Sequence, residues 1–247
     1  PRCMKGMPMT VQLDDDLRAL DHLPAPEFLA RAIPRVGRVA MVSSFGADSA
    51  VLLHMVAQID RALPVIFIDT LALFPETLAY QRDLAQHLGL TDIRRITPDR
   101  SALFQRDPDA LLHRSDRESC CTLRKAEPLA RALQGFDGWI TGRKRFQADT
   151  RASLARLERE PDTRRLRLNP LAAWRAQDIA AYLDRHALPR HPLVAQGYPS
   201  IGCQPCTSPV RSGEDPRAGR WRGSTKTECG IHFIGGVPTP TRKDSAA

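Results

Sequence analysis

The chain has 247 residues, a net charge of +8 and a hydrophobic fraction of 42%. That is enough apolar material for one substantial core, and no apolar run nears the roughly 18 residues that span a membrane. Aromatics make up only 6%, too few for a base-stacking platform, so the positive charge points to small anionic molecules over nucleic acid or membrane.

The first residues, Pro1 to Met9, carry no apolar signal core, which leads us to expect a cytoplasmic protein. Residues 14–33 read as amphipathic helix with Leu17, Leu20, Phe28 and Leu29 on one face, interrupted at Pro24 and Pro26. Arg38–Ser44 is a short β-type run, and a helix is expected from Asp48 to Ile59. Pro64–Asp69 is nearly all apolar, as a strand buried on both faces should be. A helix follows from Pro75 to Gly89, with proline at a favoured start and glycine at a natural stop. Asp92–Thr97 is a weaker strand. Ser115 and Glu118 have the spacing of a capping box and should open a helix carrying Cys120 and Cys121, bent or restarted at Pro128. Asp137–Thr141 and Thr163–Leu168 are further strands, and Trp174–His186 is another amphipathic helix.

Strands alternating with helices predict an α/β fold: a mostly parallel, twisted sheet with helices on both faces. We divide the chain into an N-terminal helical segment (1–37), a nucleotide-binding α/β domain (38–188) and an extended Cys/Arg-rich C-terminal segment (189–247) packed against it.

Strand, then Ser43-Ser44-Phe45-Gly46-Ala47-Asp48-Ser49, then helix is an arrangement suited to anions. Small residues let backbone amides approach a phosphate, and a helix N-terminus adds its positive dipole end. The loop resembles the Ser-Gly-Gly-x-Asp-Ser phosphate loop of the adenine-nucleotide α-hydrolase-like superfamily, with Phe45 in place of the first glycine. The competing reading of Asp48 is an ordinary helix cap. Asp69 and Thr70 close the second strand, where ligands of open α/β sheets bind; they are placed to meet the adenosine half of a nucleotide, or else to cap the next helix.

Five of the six cysteines fall in three motifs: Cys120-Cys121, Cys203-Gln-Pro-Cys206, and Cys229 alone. Neighbours on a helix diverge by about 100°, so Cys120 and Cys121 cannot readily converge on one zinc ion, whose sulfur ligands stand about 2.3 Å away. A [4Fe–4S] cluster is larger, accepts divergent thiolates, and is the favoured occupant of Cys120, Cys121, Cys203 and Cys206; zinc is the alternative. Cys229 is left over as a candidate nucleophile, with Lys226 and His232 close by and Glu228 opposing its ionisation. Cys3 is read as a stray surface thiol.

Cys-Cys-Thr-Leu-Arg-Lys-Ala-Glu-Pro-Leu, Gly-Cys-Gln-Pro-Cys-Thr and Gly-Arg-Trp-Arg…Lys-Thr-Glu-Cys-Gly-Ile-His together resemble the assimilatory adenylyl-sulfate (APS) reductases, from about Ser43 to Phe233. The resemblance implies a [4Fe–4S] cluster on the four paired cysteines. It also implies attack of Cys229 on the sulfur of APS, release of AMP, and an S-sulfocysteine that a thioredoxin- or glutaredoxin-type reductant resolves to sulfite.

It further implies substrate contacts from Arg217 and Arg220, and from the Gly142–Gln147 stretch with Lys144 and Arg145, where Lys144 stands in the place of a family arginine. Lys125, one helical turn after Cys121, is read as linking the cluster region to substrate. Three alternatives stay open: use of 3′-phosphoadenylyl sulfate (PAPS) or both nucleotides, an iron–sulfur tRNA-thiolating ATP pyrophosphatase, and a zinc-stabilised nucleotide-binding module. Homo-oligomerisation is also left open.

Overall fold

The computed structural model describes residues 9–224, 226 and 228, with side chains from Leu13 onward. Its centre is a six-stranded sheet in the order β3-β2-β1-β4-β6-β5. The strands are β1 (Val39–Ser43), β2 (Val65–Ile68), β3 (Ile93–Ile96), β4 (Gly138–Ile140), β5 (Leu157–Arg159) and β6 (Leu166–Leu168). All neighbouring pairs are parallel except β5 with β6. The central strands β1, β2 and β4 are buried at every position, which explains their unbroken apolar character. β3, at one edge, keeps Arg94 and Arg95 exposed, the charge that discourages edge-to-edge pairing.

Alternate β1 residues feed two cores. Val39 and Met41 join the larger one, with Phe28, Leu29, Leu52, Leu53, Leu84 and Ile179. These come from α2 (Ala25–Val36), α3 (Ser49–Ile59), α4 (Pro75–Leu88) and α9 (Ala176–Arg185). Ala40 and Val42 face the other way, onto Leu129 and Leu133 of the α8 region (Glu127–Ala132). The sheet is therefore covered on both faces, as the strand–helix alternation predicts.

Several local expectations are corrected. The N-terminal helical stretch is two helices, α1 (Met9–Arg18) and α2; Pro24 marks the break, whereas Pro26 sits in the first turn of α2, where a missing N–H costs nothing. The helix with the double cysteine is opened by Asp116, not Ser115: the Asp116 carboxylate accepts from the Ser119 amide at 2.9 Å and from its hydroxyl at 2.7 Å. That helix, α7 (Arg117–Cys121), runs into one π-helical turn, Thr122–Ala126, before α8 starts with Pro128 in its first turn. Sequence reading passes over β5, α5 (Arg100–Arg106) and α6 (Leu112–Ser115), all too short for a periodic signal. The expected strand Thr163–Leu168 contracts to β6.

The N-terminal helices are fastened to the β5 edge. Arg156 donates to the Asp21 and Leu23 carbonyls, both at 2.7 Å, and lies over the Phe28 ring; Arg159 pairs with Asp14. Among the described residues no helix is long and apolar enough to cross a membrane.

Candidate active site

The strand order reverses beside β1: β2 and β3 follow on one side, β4 and β6 on the other. Ligands of open α/β sheets bind at such a switch point, outside the carboxyl ends of the strands. A cleft of about 430 Å³ lies there. Of the residues singled out in the sequence, Ser43, Ser44, Gly46, Asp48, Ser49, Thr70, Lys125, Gly142, Lys144, Arg217 and Arg220 line it.

The loop after β1 is shaped from inside the core. The Ser43 hydroxyl accepts from the Phe45 amide at 3.1 Å, and Phe45 adopts a left-handed φ of 47°. That conformation is costly for a bulky residue, but the Phe45 ring is fully buried and meets Phe67 edge-on at 5.3 Å. Phe45 therefore supports the loop from below and does not line the cleft. Asp48 precedes α3 without a side-chain capping bond. Its carboxylate instead accepts from Lys144 Nζ at 3.0 Å, so the helix-cap reading of Asp48 is set aside.

Lys144 is 2% exposed, and its ammonium also donates to the Gly142 carbonyl at 3.2 Å. Burial pulls the Lys144 pKa down, while the Asp48 carboxylate holds it up. Next to it, Arg143 donates to Asn169 Oδ1 at 3.2 and 3.3 Å and pairs with Glu158. Burial and the nearby Arg167 lower the Arg143 pKa to about 10, against the pull of Glu158. Arg145 turns away, with Nε donating to the Leu154 carbonyl at 2.8 Å. Asp69 also lies outside the cleft lining: it is buried, paired with Arg95, and accepts from the Leu71 amide at 2.9 Å.

Arg143 and Arg151 line the cleft as well. The sequence marks Arg143 only as part of the Gly142–Gln147 stretch and does not mark Arg151. Arg143 stood in a cluster of cations without a feature to separate it from its neighbours, and Arg151 lies in a turn with no motif.

A second, smaller cavity of about 70 Å³ adjoins the first, lined by Cys120, Cys121, Cys203 and Cys206 together with His113, Arg117, Arg124, Lys125 and Trp221. The four thiols come from two separate stretches and form no disulfide. The first pair is set by α7 and the π-helical turn that follows, a distortion common at functional sites. This turn buries both Arg124 and Lys125. Arg124 is held by Asp107 (3.0 and 2.6 Å) and by the Thr70 carbonyl (2.9 Å). The second pair is stitched to the end of β2. Cys203 bridges to Leu73, the Gln204 amide donates to the Ala72 carbonyl at 2.8 Å, and Thr70 Oγ1 shares a 3.2 Å hydrogen bond with Cys203 Sγ. The Trp221 amide in turn donates to the Cys206 carbonyl at 3.0 Å.

The chemistry of this cage asks for a cation. Burial, and next the neighbouring Cys121, push the Cys120 thiol up to about 12; burial and Cys203 raise Cys206. A thiolate is the form that binds a metal, so two thiols held protonated in this way ionise more readily beside a positive centre. Two buried donors in the same region, Trp221 Nε1 and Arg220 Nε, have no hydrogen-bond partner among the described residues.

Lys125, Cys203 and Trp221 line both cavities, so the thiol cage and the cleft share a wall. Arg220 belongs to that wall: Nη1 donates to the Ile201 carbonyl at 3.1 Å, and the guanidinium lies 4.5 Å over the Trp221 ring. It passes so close to Gly202 that a Cβ there would collide with it. Cys229 and His232 lie outside the described residues.

A phosphate-type loop at a sheet switch point, ringed by buried cations and backed by a four-thiol cage, defines a nucleotide-binding α/β protein with a thiol centre. Residues 38–209 match the phosphoadenosine phosphosulfate reductase domain, and the chain belongs to that family. It is 54% identical over 216 residues to the adenosine 5′-phosphosulfate reductase of Mesorhizobium japonicum, covering 87% of this chain and 84% of the relative. To the enzyme of the same name from a Chelativorans species it is 50% identical, covering 90% and 94%. A phosphoadenosine 5′-phosphosulfate reductase from Gloeobacter violaceus is 37% identical, covering 88% and 95%. Among solved structures, the phosphate complex of the Candida auris phosphoadenylyl-sulfate reductase superposes with a TM-score of 0.69 at 27% identity, over 83% of this chain and 98% of the other.

Proposed function

We propose that the protein reduces APS to sulfite and AMP in sulfate assimilation, with Cys229 as nucleophile and a dithiol protein of the thioredoxin or glutaredoxin type as reductant, in the cytoplasm. The observation that carries the reading is the shared wall: the anion-binding cleft and the four-thiol cage meet at Lys125, Cys203 and Trp221. The two APS-reductase relatives at 50% identity or more support the choice of substrate.

In this reading the amides of the 44–49 loop and Lys144 take the α-phosphate, and Arg217, Arg220 and Lys125 take the sulfate end, where charged hydrogen bonds recognise oxyanions best. The Cys229 thiolate attacks the sulfur, the bond from sulfur to the bridging oxygen breaks, and AMP leaves with that electron pair. A reductant thiolate then attacks Cys229 Sγ, sulfite departs with the S–S bonding pair, and the second reductant thiol resolves the mixed disulfide. The cations offset the charge that gathers on the leaving phosphate.

Cys120, Cys121, Cys203 and Cys206 fit a [4Fe–4S] cluster better than a lone ion. All four line one common cavity, and all-cysteine ligation is usual for such clusters. A cluster bound there would supply a cationic core that offsets part of the charge of the four thiolates, and a tie between the C-terminal segment and α7. Trp221, whose Nε1 has no hydrogen-bond partner among the described residues, lines the same cavity.

The test is to mix anaerobically prepared protein with APS and follow AMP release and the mass of the Cys229 peptide. A sulfonate adduct on Cys229 that disappears in Cys229→Ser is the expected outcome; an adduct surviving that substitution would refute the mechanism. Use of PAPS is kept as a second reading because the Gloeobacter and Candida auris proteins carry that name. Competition between the two nucleotides decides it.

A further inference from the structure

Near its C-terminal end the described chain is pinned at two points. Lys226 forms an ion pair with Glu118 of α7 and lies 5.9 Å over the Trp221 ring. Glu228 is gripped from the other side of the site. Arg151 Nε donates to Glu228 Oε1 at 2.6 Å and Nη2 to Oε2 at 2.5 Å, a fork-to-fork pair, and the Thr150 hydroxyl donates to Oε1 at 3.0 Å. Arg151 is itself buried, and its Nη1 donates to Gln147 Oε1 at 2.6 Å, so the guanidinium is fixed before it meets the carboxylate. Burial works against the Glu228 charge, but Arg151, with Arg217 assisting, holds the carboxyl below its usual range.

Glu228 immediately precedes Cys229, and consecutive Cα atoms are about 3.8 Å apart. Arg151 meanwhile lines the cleft. We infer that Arg151 and Glu228 are positioning residues: their ion pair tethers the chain at the cleft so that Cys229 is presented to the bound substrate. This rests on the proposed reaction for the identity of the nucleophile.

The pair also removes a chemical conflict. A bare carboxylate beside the thiol would raise the thiol pKa and repel an anionic substrate. Neutralised by Arg151 it does neither, and serves as the handle by which the segment is held. Lys226 and Glu118 form the matching anchor on the α7 side.

Two measurements test the tether, both on the full chain prepared anaerobically. The first is limited trypsin cleavage after Lys226, scaled to cleavage after the exposed Arg222. Cleavage follows the population of the locally open state. In Arg151→Ala and in Glu228→Gln it should rise about tenfold, the order expected for losing a charged bidentate contact. The double variant should open no further than either single one, because the two act as one pair. The second is the single-turnover rate of the Cys229 adduct at saturating APS. It should fall about tenfold in Glu228→Gln, with AMP affinity within about twofold of the parent.

Unchanged cleavage after Lys226 overturns the inference whatever the rate does. Faster cleavage with an undiminished adduct rate reduces the pair to a structural tie and overturns the positioning role. Tighter APS binding in Glu228→Gln, with no slower reaction, would mark Glu228 as a carboxylate occupying the place of a substrate anion, and also overturns it. If the parent protein forms no adduct with APS, the reading of the reaction fails, while the trypsin arm still decides the tether.

Discussion

Lys144 is the most informative single side chain. It is almost fully buried and held by one carboxylate from the loop after β1, so the β1 and β4 loops meet through it. Lysine gives a point charge without a fork; Arg143, anchored by Glu158 and Asn169, adds a guanidinium to the same cleft. Losing one charged contact to an oxyanion is worth about 1.5–3 kcal/mol, so Lys144→Ala is expected to lower kcat/KM for APS about 10- to 100-fold. Asp48→Asn carries a pH signature. Asp48 is what keeps the Lys144 pKa from falling further. Its removal therefore extends that fall, and the alkaline limb of the rate profile moves to lower pH. A profile measured across the alkaline range checks this.

At the scale of elements, two devices bring the C-terminal segment to the site. One is the π-helical turn after Cys121, which buries Arg124 and Lys125 together. The other is the 3₁₀ turn Pro192–Gln196, fastened by His191: its Nδ1 accepts from the Leu193 amide at 3.2 Å and its Nε2 shares a 3.0 Å hydrogen bond with Thr77 of α4. Burial lowers the His191 pKa to about 4, against the opposing influence of Glu76, whereas a free histidine titrates near 6.5. Below about pH 6.5 the unfolded chain takes up a proton that the folded chain refuses. Stability is thus full above that pH and is lost as pH falls toward 4. The upper bound is about 3 kcal/mol, read by urea melts at pH 7 and 4.5, and His191→Gln should flatten the difference. The elements missed from sequence have a common cause. β5 reads Leu-Glu-Arg and is only half-buried, and α6 spans a single turn, so neither has a period to detect. β5 is a strand because β6 offers it an edge, which is a tertiary fact.

For the whole molecule, the turn around Cys203 is one of the ties between the nucleotide-binding sheet and the described residues after Pro189. An anaerobic preparation should carry about four irons per chain. Stripping them, or replacing Cys203 by Ser, should leave the sheet folded while opening residues 190–224 to proteolysis, since the proposed cluster would join the Cys203–Cys206 turn to α7. Far-UV circular dichroism close to that of the parent, with faster cleavage confined to that stretch, is the result to look for.

What the sequence determined by itself was whatever is written in local order. The strand–helix alternation comes from runs buried on both faces, the anion loop from its small residues between strand and helix, and the cysteine pairs from their spacing. Tertiary structure decided what depends on residues far apart in the chain. It turned Phe45, Asp69 and Arg145 away from the cleft and joined Asp48 to Lys144 across 96 positions. It also set Thr70 against Cys203 and recruited Arg151, which carries no motif. The physical reason is that a buried charge must find its partner wherever the fold has placed one, and sequence neighbours do not reveal that partner.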